Sequence, residues 1–482
     1  MVIPRFRGWI NQWDVATGRG FRWWRNISPP QLFVGSFLGL IVFGTLGLRF
    51  LPGLYVGERL GWIDSLFTAT SAVCVTGLIV VDTATYFTVL GQGFILLLIQ
   101  LGGLGIVTFT TIIIMLLGRR VSLRQHSASL SVAEIAPHIN YRHLALNILV
   151  FTAIFEVSGA ILLLFSWAPR LGFGNAVWHA VFHAVSAFCN AGFSTFSTSL
   201  IEFRESPLPM VTVMALIVAG GIGFLTIEEL WVQRAQRRKR LRRTSDQLMP
   251  RLSLHSRLVL ATTATLLAGG WLFFTLYEWH ITFQGMPAWA RVMNGLFMSV
   301  TARTAGFNTI DYADAADGSN FLTILLMFIG GSPGSMAGGV KTTTIAVIGL
   351  LAWSRYMGRG ATSVLGRSIP DETSERAIGL FVVAFGLVTL AIFIFTTTEI
   401  GAVSHSAAPV AFLPYMFEAV SAFNTVGLSM GVTADLSAPG RIVTTLLMYL
   451  GRVGPLTFAA AIALRATARG DFRYAYEDVV IG

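Results

Sequence analysis

The chain has 482 residues, 54% of them hydrophobic and only 12% charged, with a formal net charge of +10. Soluble domains carry about 25% charged residues, so this chain has about half the charge a soluble surface needs and falls in the membrane class. Its apolar runs are solid rather than alternating, which excludes a barrel of roughly ten-residue strands and leaves helices as the spanning elements.

Residues 1–30 are basic and rich in tryptophan, with no compact apolar core or small-residue cleavage site. They read as a cytoplasmic interfacial segment and not as a cleaved signal peptide. After them one unit is written four times. The four pore segments are "DSLFTATSAVCVTGLIVVD", "HAVFHAVSAFCNAGFSTF", "NGLFMSVTARTAGFNTID" and "PYMFEAVSAFNTVGLSMG". Each carries an aromatic (Phe67, Phe182, Phe297, Phe417) and then a single glycine (Gly77, Gly192, Gly306, Gly427), the third copy being one residue short. About a dozen residues are too few to cross a bilayer, so each segment reads as a re-entrant half-helix.

Spans are expected before the pore segments at 31–51, 144–168, 257–280 and 377–399, and after them at 91–117, 209–232, 320–353 and 440–465. The units are then 31–120, 121–250 (with a basic loop), 251–370 (with an intramembrane loop) and 371–482. The fold class is all-α integral membrane: four tandem helix–pore loop–helix units around a pseudo-fourfold pore. Starting inside, every arginine cluster falls on one face: Arg5 to Arg25, Arg119 to Arg124, Arg234 to Arg243, Arg355 to Arg376 and Arg465 to Arg473. The positive-inside rule makes that face cytoplasmic, with both termini, in a multi-pass protein of the plasma (inner) membrane. Acidic residues, among them Asp64, Asp82, Asp311 and Asp435, fall on the other face, where they would concentrate cations. The membrane accounts for the basic charge, and no nucleic-acid partner is expected. The run from Arg234 to Arg243 is either topogenic or a contact for anionic lipid or a partner.

A permeating cation must exchange water for protein oxygen, which rings of backbone carbonyls supply without fixed charge. Glycine permits the positive φ that turns successive carbonyls toward one axis. The candidate ion-binding residues are therefore Val75, Thr76 and Gly77; Asn190, Ala191 and Gly192; Thr304, Ala305 and Gly306; and Thr425, Val426 and Gly427. The stretch "NTVGLS" resembles a degenerate potassium-channel TVGYG loop. A single such glycine is more often a helix-packing device; four at equivalent places are not.

Other features of the chain carry less. "IGGSPGSMAGGVKTTT" (329–344) holds too many glycines, and a proline, for a helix. It reads as an irregular loop lining a cavity, with Ser332, Ser335 and free carbonyls facing the ion. It is no phosphate cradle, because Val340 separates Gly339 from Lys341. Lys341 is either a snorkelling side chain or part of a gate. Arg452 sits at membrane depth, where the other inner segments carry leucine, isoleucine or proline nearby. An arginine there costs at least about 2.5–3.5 kcal/mol and needs partners. His179 and His183 lack an HExxH glutamate and read as half-helix polar residues. Cys74 and Cys189 are equivalent backbone positions and not a redox pair, and Arg303 stands at their place in the third copy, pointing toward a carboxylate such as Glu418. No nucleophile–base pair or metal cluster appears at pore depth, so no enzyme is expected.

The chain resembles the Trk/Ktr/HKT superfamily of potassium transporters, closest to the Ktr-type membrane subunit. The resemblance rests on "SPPQLFVGSFLGLIVFGTLGL", "TSAVCVTGLIVVDT", "GGSPGSMAGGVKTTT", "GRVGPLT" and "EDVVIG" and covers the chain beyond its first thirty residues. Its first thirty residues, without an added helix pair, point to the Ktr branch over the Trk branch. It implies potassium uptake through a selectivity filter, since all four copies keep glycine. It implies a gate built from Gly330, Gly331, Ser332, Pro333, Gly334, Ser335, Gly338, Gly339 and Lys341, touched by Arg452. A homodimer and a cytosolic nucleotide-binding ring subunit are implied as partners, with "YEDVVIG" near the dimer interface. Potassium is the transported ion, sodium a second ion common in that branch, and no organic cofactor is bound. A secondary transporter with sodium or proton coupling is the alternative, including symport, but the four copies run in one direction and are not inverted halves.

Overall fold

The computed structural model describes residues 29–117, 141–240, 252–401, 412–455 and 457–459. The tryptophan-rich start, most of the arginine clusters and the "YEDVVIG" end lie outside these residues. The described chain is mostly helical, with one two-stranded ribbon, β1 (Ser363–Val364) against β2 (Arg367–Ser368).

Each copy opens with a long apolar helix: α1 (Pro29–Phe50), α4 (Tyr141–Leu171), α8 (Leu254–Tyr277) and α12 (Asp371–Phe395). Four stretches within or around them are long and apolar enough to cross a membrane by length and composition: Pro30–Phe50, Leu146–Leu171, Leu254–Tyr277 and Asp371–Ile400. Only 22–28% of each is buried inside the protein. Helices so apolar and so little covered need a hydrocarbon surrounding, since in water they would expose large apolar patches.

Next in each copy comes a short half-helix: α2 (Trp62–Val73), α5 (Phe173–Phe188), α9 (Ala288–Thr301) and α13 (Phe412–Phe423). Their second halves are buried among small side chains, as at Ala69, Ala72 and Val73, or Ala419, Ala422 and Phe423. The inner helices follow: α3 (Val89–Leu117), then α6 (Pro207–Ile222) with α7 (Phe224–Arg240), then α10 (Asp317–Phe328) with α11 (Thr342–Tyr356), and last α14 (Ala438–Val453).

The inner helices depart from the sequence expectation in two respects. The 209–232 span is not one straight helix: α6 and α7 meet at 99°, about Gly223, whose φ is +95°. The third is broken over 329–341 as its glycines and proline predicted, and α14 ends at Gly454 with φ +88°. Only the first runs unbroken.

One contact repeats in three copies and fixes inner helix to half-helix. A Cβ at Gly102, Gly220 or Gly451 would stand 1.9, 2.0 or 1.6 Å from the carbonyl oxygen of Val73, Phe188 or Phe423, the last residue of that copy's half-helix. Only glycine permits this approach. It also aligns three of the copies, placing Arg452 level with Gly103 and Gly221, next to Leu104 and Ile222.

The copies close into a ring. The fourth meets the first through Arg441 Nη1, which donates to Asp64 Oδ1 at 2.5 Å, and through Tyr449 Oη, which donates to the carbonyl of Val34 at 2.8 Å. Gly451→Ala is expected to lower thermal stability in detergent by about 1–3 kcal/mol through overpacking. Gly349→Ala, in α11 where an added Cβ meets nothing within 4 Å, is expected to raise it by up to about 1 kcal/mol. Thermal unfolding of both purified variants checks the opposite signs.

Candidate functional site: a ring of four glycines above an irregular loop

At the C-terminal end of each half-helix the chain turns into an extended stretch ending at the shared glycine. All four glycines are left-handed, with φ of +92° at Gly77, +71° at Gly192, +77° at Gly306 and +92° at Gly427. The residue two places earlier is left-handed as well: Val75 (+57°), Asn190 (+60°), Thr304 (+68°) and Thr425 (+51°). Three of those four are β-branched, a type that adopts this conformation at a cost of roughly 1–2 kcal/mol each. Alternating hands along a short stretch turn its peptide groups to a common side, which makes a ligating surface of them. The sequence pointed to glycine here; it gave no sign that a β-branched neighbour would share the conformation.

The glycines meet one another in chain order. A Cβ on Gly77 would lie 2.3 Å from the carbonyl oxygen of Ala191, and one on Gly192 would lie 2.9 Å from that of Ala305. On Gly306 it would lie 2.6 Å from that of Val426, and on Gly427 2.1 Å from that of Thr76. Each glycine thus faces the carbonyl just before the next copy's glycine, and the fourth returns to the first. Thr76, Ala191, Ala305 and Val426 are fully buried behind this ring.

Hydroxyls brace the turns. Ser71 Oγ donates to the carbonyl of Leu78 at 2.7 Å and accepts from the Gly77 amide at 3.1 Å. Ser186 and Thr301 donate to the carbonyls of Phe193 and Phe307, and Ser421 accepts from the Gly427 amide. The missing residue of the third copy is absorbed just here. In copies one, two and four an amide reaches back five residues to the bracing residue (Thr76 to Ser71, Ala191 to Ser186, Val426 to Ser421). In the third, Ala305 reaches back four, to Thr301.

Outside the ring lies a vestibule of about 350 Å³, lined by residues of all four copies that include the four glycines, Asp82 and Asp311. On the other side lies the 329–341 loop. Its backbone bonds are spread over its neighbours. The Gly330 amide donates to the carbonyl of Val340, and the Ser332 and Met336 amides to those of Gly221 and Gly220. Gly339 donates to Gly451, and the Gly334 carbonyl accepts from Phe224. Pro333 sits against the elbow, its carbonyl 2.6 Å from where a Cβ on Gly223 would be. A Cβ on Gly331 would strike that of Ala337 at 2.4 Å. One on Gly338 would meet Thr425 Oγ1 at 2.2 Å, so the loop comes up against the base of the ring.

Ser332 and Ser335 are buried, but their hydroxyls serve the loop itself. Ser332 Oγ pairs with Thr342 Oγ1 at 3.1 Å, and Ser335 Oγ donates to the Ser332 carbonyl at 2.6 Å. Lys341 Nζ donates to the carbonyls of Ala337 (2.6 Å) and Gly338 (3.4 Å). Arg452, 4% exposed, donates from Nη1 to the carbonyl of Met336 in the loop and from Nη2 to that of Gly102 at 3.0 Å. One guanidinium therefore ties together the fourth inner helix, the loop and the first inner helix.

The place three residues before each ring glycine holds Cys74, Cys189, Arg303 and Asn424. Arg303 does not pair with Glu418, as sequence suggested; its Nη2 points to the carbonyl of Gly330 at 3.4 Å. Asn424 Oδ1 accepts from the Val340 amide at 3.2 Å, so two of these four positions hold the loop. Glu418 accepts instead from Ser429 Oγ at 2.9 Å and Thr433 Oγ1 at 2.5 Å. Cys189 Sγ is 3.3 Å from Gln100 Oε1. His179 and His183 bond Thr195 and Ser194.

Comparison with known proteins agrees with this architecture. Residues 37–467 match the TrkH family, described as cation transport proteins. The chain is 35% identical over 460 residues to the potassium/sodium uptake protein NtpJ of Enterococcus hirae, covering 95% of this chain and 98% of that one. It is 35% identical to the Ktr system potassium uptake protein B of Bacillus subtilis (95% and 98% covered) and 34% identical to that of Vibrio alginolyticus (90% and 91%). The crystal structure of the potassium transporter TrkH from Vibrio parahaemolyticus has the same fold, with a TM-score of 0.68 at 17% identity, covering 90% of this chain and 84% of that one. The chain accordingly belongs to the TrkH family of membrane cation transport proteins, which are transporters and not enzymes.

Proposed function

We propose that this chain is the ion-conducting membrane subunit of a potassium uptake system. Ions pass down their gradient through the four-glycine ring, and the 329–341 loop gates them. The observation that carries this reading is the cyclic contact of left-handed glycines with the next copy's carbonyl, Gly77 to Ala191 and on around to Gly427 and Thr76. Four backbone segments held in a strained conformation at one point are retained where function needs them. What they offer a cation is carbonyl oxygen in place of water. The carboxylates Asp82 and Asp311 at the vestibule would raise the local cation concentration. The similar proteins NtpJ and the Ktr B subunits, named for potassium uptake, support potassium as the ion.

The loop fits a gate because its hold is divided between elements. Arg452 places a positive charge beneath the ring and grips Met336, while Gly220, Gly221 and Phe224 bind the loop from the second inner helix. A cytosolic nucleotide-binding ring subunit of the Ktr type would work this gate, with the pore chain present as a homodimer in the plasma membrane and its termini cytoplasmic. The word "system" in the names of the B subunits favours such a partner. Coupling to sodium is the second reading, favoured by the potassium/sodium name of the Enterococcus hirae relative.

Rubidium flux into proteoliposomes, driven by a concentration gradient alone, separates the two. Conduction gives flux without sodium or a proton gradient; strict dependence on either would establish coupling. In the same assay Arg452→Ala, which removes the bonds to Met336 and Gly102, is expected to raise downhill flux severalfold. Unchanged flux at equal protein would remove Arg452 from gating. Gly77→Ser puts a side chain against the Ala191 carbonyl at φ +92° and is expected to lower the potassium-to-sodium flux ratio. An unaltered ratio would count against the ring as filter.

A further inference from the structure

Two positions of the repeat act together in alternate copies. The first follows the shared aromatic: Thr68, His183, Met298 and Glu418. The second lies two residues after the ring glycine: Ile79, Ser194, Asn308 and Ser429. In the second copy His183 Nδ1 contacts the carbonyl of His179 at 2.8 Å and Nε2 contacts Ser194 Oγ at 3.0 Å. A carbonyl only accepts, so Nδ1 carries the proton, and in the neutral ring Nε2 accepts from Ser194. In the fourth copy Glu418 accepts from Ser429 and Thr433 through its two oxygens. His183 and Glu418 are both 0% exposed, while Ser194, Ser429 and Thr433 line the vestibule. Each bond therefore ties a half-helix to the wall just outside the ring.

The other two copies carry no such tie. Thr68 Oγ1 is buried without a hydrogen-bond partner opposite an isoleucine, and Met298 has no donor to offer Asn308, which is held instead by Ser199 and Ile310. The glycine contacts run from copy one through two, three and four and back to one, so copies two and four face each other across the axis. Both serines also accept from the backbone beyond them, Ser194 from Phe196 and Ser429 from Gly431, which passes the restraint on to the vestibule wall. A buried carboxylate and a buried imidazole are costly in this surrounding and persist where their bonds are complete.

We propose that His183 and Glu418 are positioning residues that hold the outer rim of the ring open across one diagonal. They thereby set its discrimination between potassium and the smaller sodium ion. The inference rests on reading the ring as the filter, and it assigns selectivity to rigidity behind the carbonyls as well as to the carbonyls themselves. A rim pinned on two opposite sides cannot contract onto the smaller ion; a rim released on one of them can.

The test is the potassium-to-sodium flux ratio in proteoliposomes, a quantity that does not depend on how much protein is inserted. Ser429→Ala and Ser194→Ala remove a brace without touching a half-helix, and Glu418→Gln replaces one of two acceptor oxygens with a donor. Each is expected to lower the ratio about fivefold, the scale of one lost hydrogen bond. Thr68→Val is expected to leave it unchanged. A ratio unchanged in both serine variants while Gly77→Ser lowers it would overturn the braces and leave the filter reading standing. A ratio unchanged in all of them, Gly77→Ser included, would overturn the filter reading together with this inference. A fall confined to the fourth-copy variants would overturn the diagonal pair.

Discussion

Irregular backbone at membrane depth is possible only where it is buried in protein or lines a water-filled cavity, so that no peptide group faces lipid unpartnered. The rest of the molecule depends on that constraint. The four turns at the ring and the 329–341 loop abandon helical hydrogen bonding where no water from the lipid side can replace it. Many of their amides and some of their carbonyls bond one another, hydroxyls such as Ser71 and Ser186, or the broken second inner helix. The close approach this requires is why bare backbone meets bare backbone at Gly102, Gly220 and Gly451. A side chain there would hold the inner helix off the half-helix and open the space the ring needs closed.

The fourfold pattern is closest at the ring, where all four glycines and the residues two places before them share left-handed backbone. What each copy does with its side chains differs. Arg452 stands where two other copies have glycine, and it fills the room with a charge shared between two carbonyls, Met336 and Gly102. Arg303 and Asn424 occupy the place of the two cysteines and turn toward the loop. So the ring is alike in all four copies where its glycines meet, and the elements beneath it are specialised copy by copy. A single chain of four unlike copies permits this; four identical subunits would have to place every such residue four times.

Much of this was legible in the sequence. The outer spans, the half-helices and the broken third inner segment follow from run length and from glycine and proline content, and the shared glycines marked the ring. The left-handed Val75, Thr304 and Thr425 were not legible, because their propensity opposes the conformation and only the surrounding bonds impose it. The elbow at Gly223 was hidden for another reason. The apolar run continues straight through it, and a lone glycine in such a run is ordinary. Arg303 was placed toward Glu418 by charge alone, but backbone carbonyls compete well for a guanidinium where carboxylates are already held by hydroxyls. The one-residue deletion was visible as a count; its effect, a tighter turn at Ala305, was not.

Three of the four junctions in the ring are covalent, and the fourth is closed by Arg441 with Asp64 and by Tyr449 with Val34. That asymmetry has a consequence for biosynthesis. The first copy is inserted long before the last, yet the carbonyl of Thr76 waits for Gly427. Until the final copy arrives the growing chain is an open wedge, with its ring carbonyls lacking a neighbour on one side. The four-glycine ring is therefore not closed at any earlier stage of synthesis. The ring is completed by the last copy, and its closing seam is held by side-chain bonds rather than by a peptide connection.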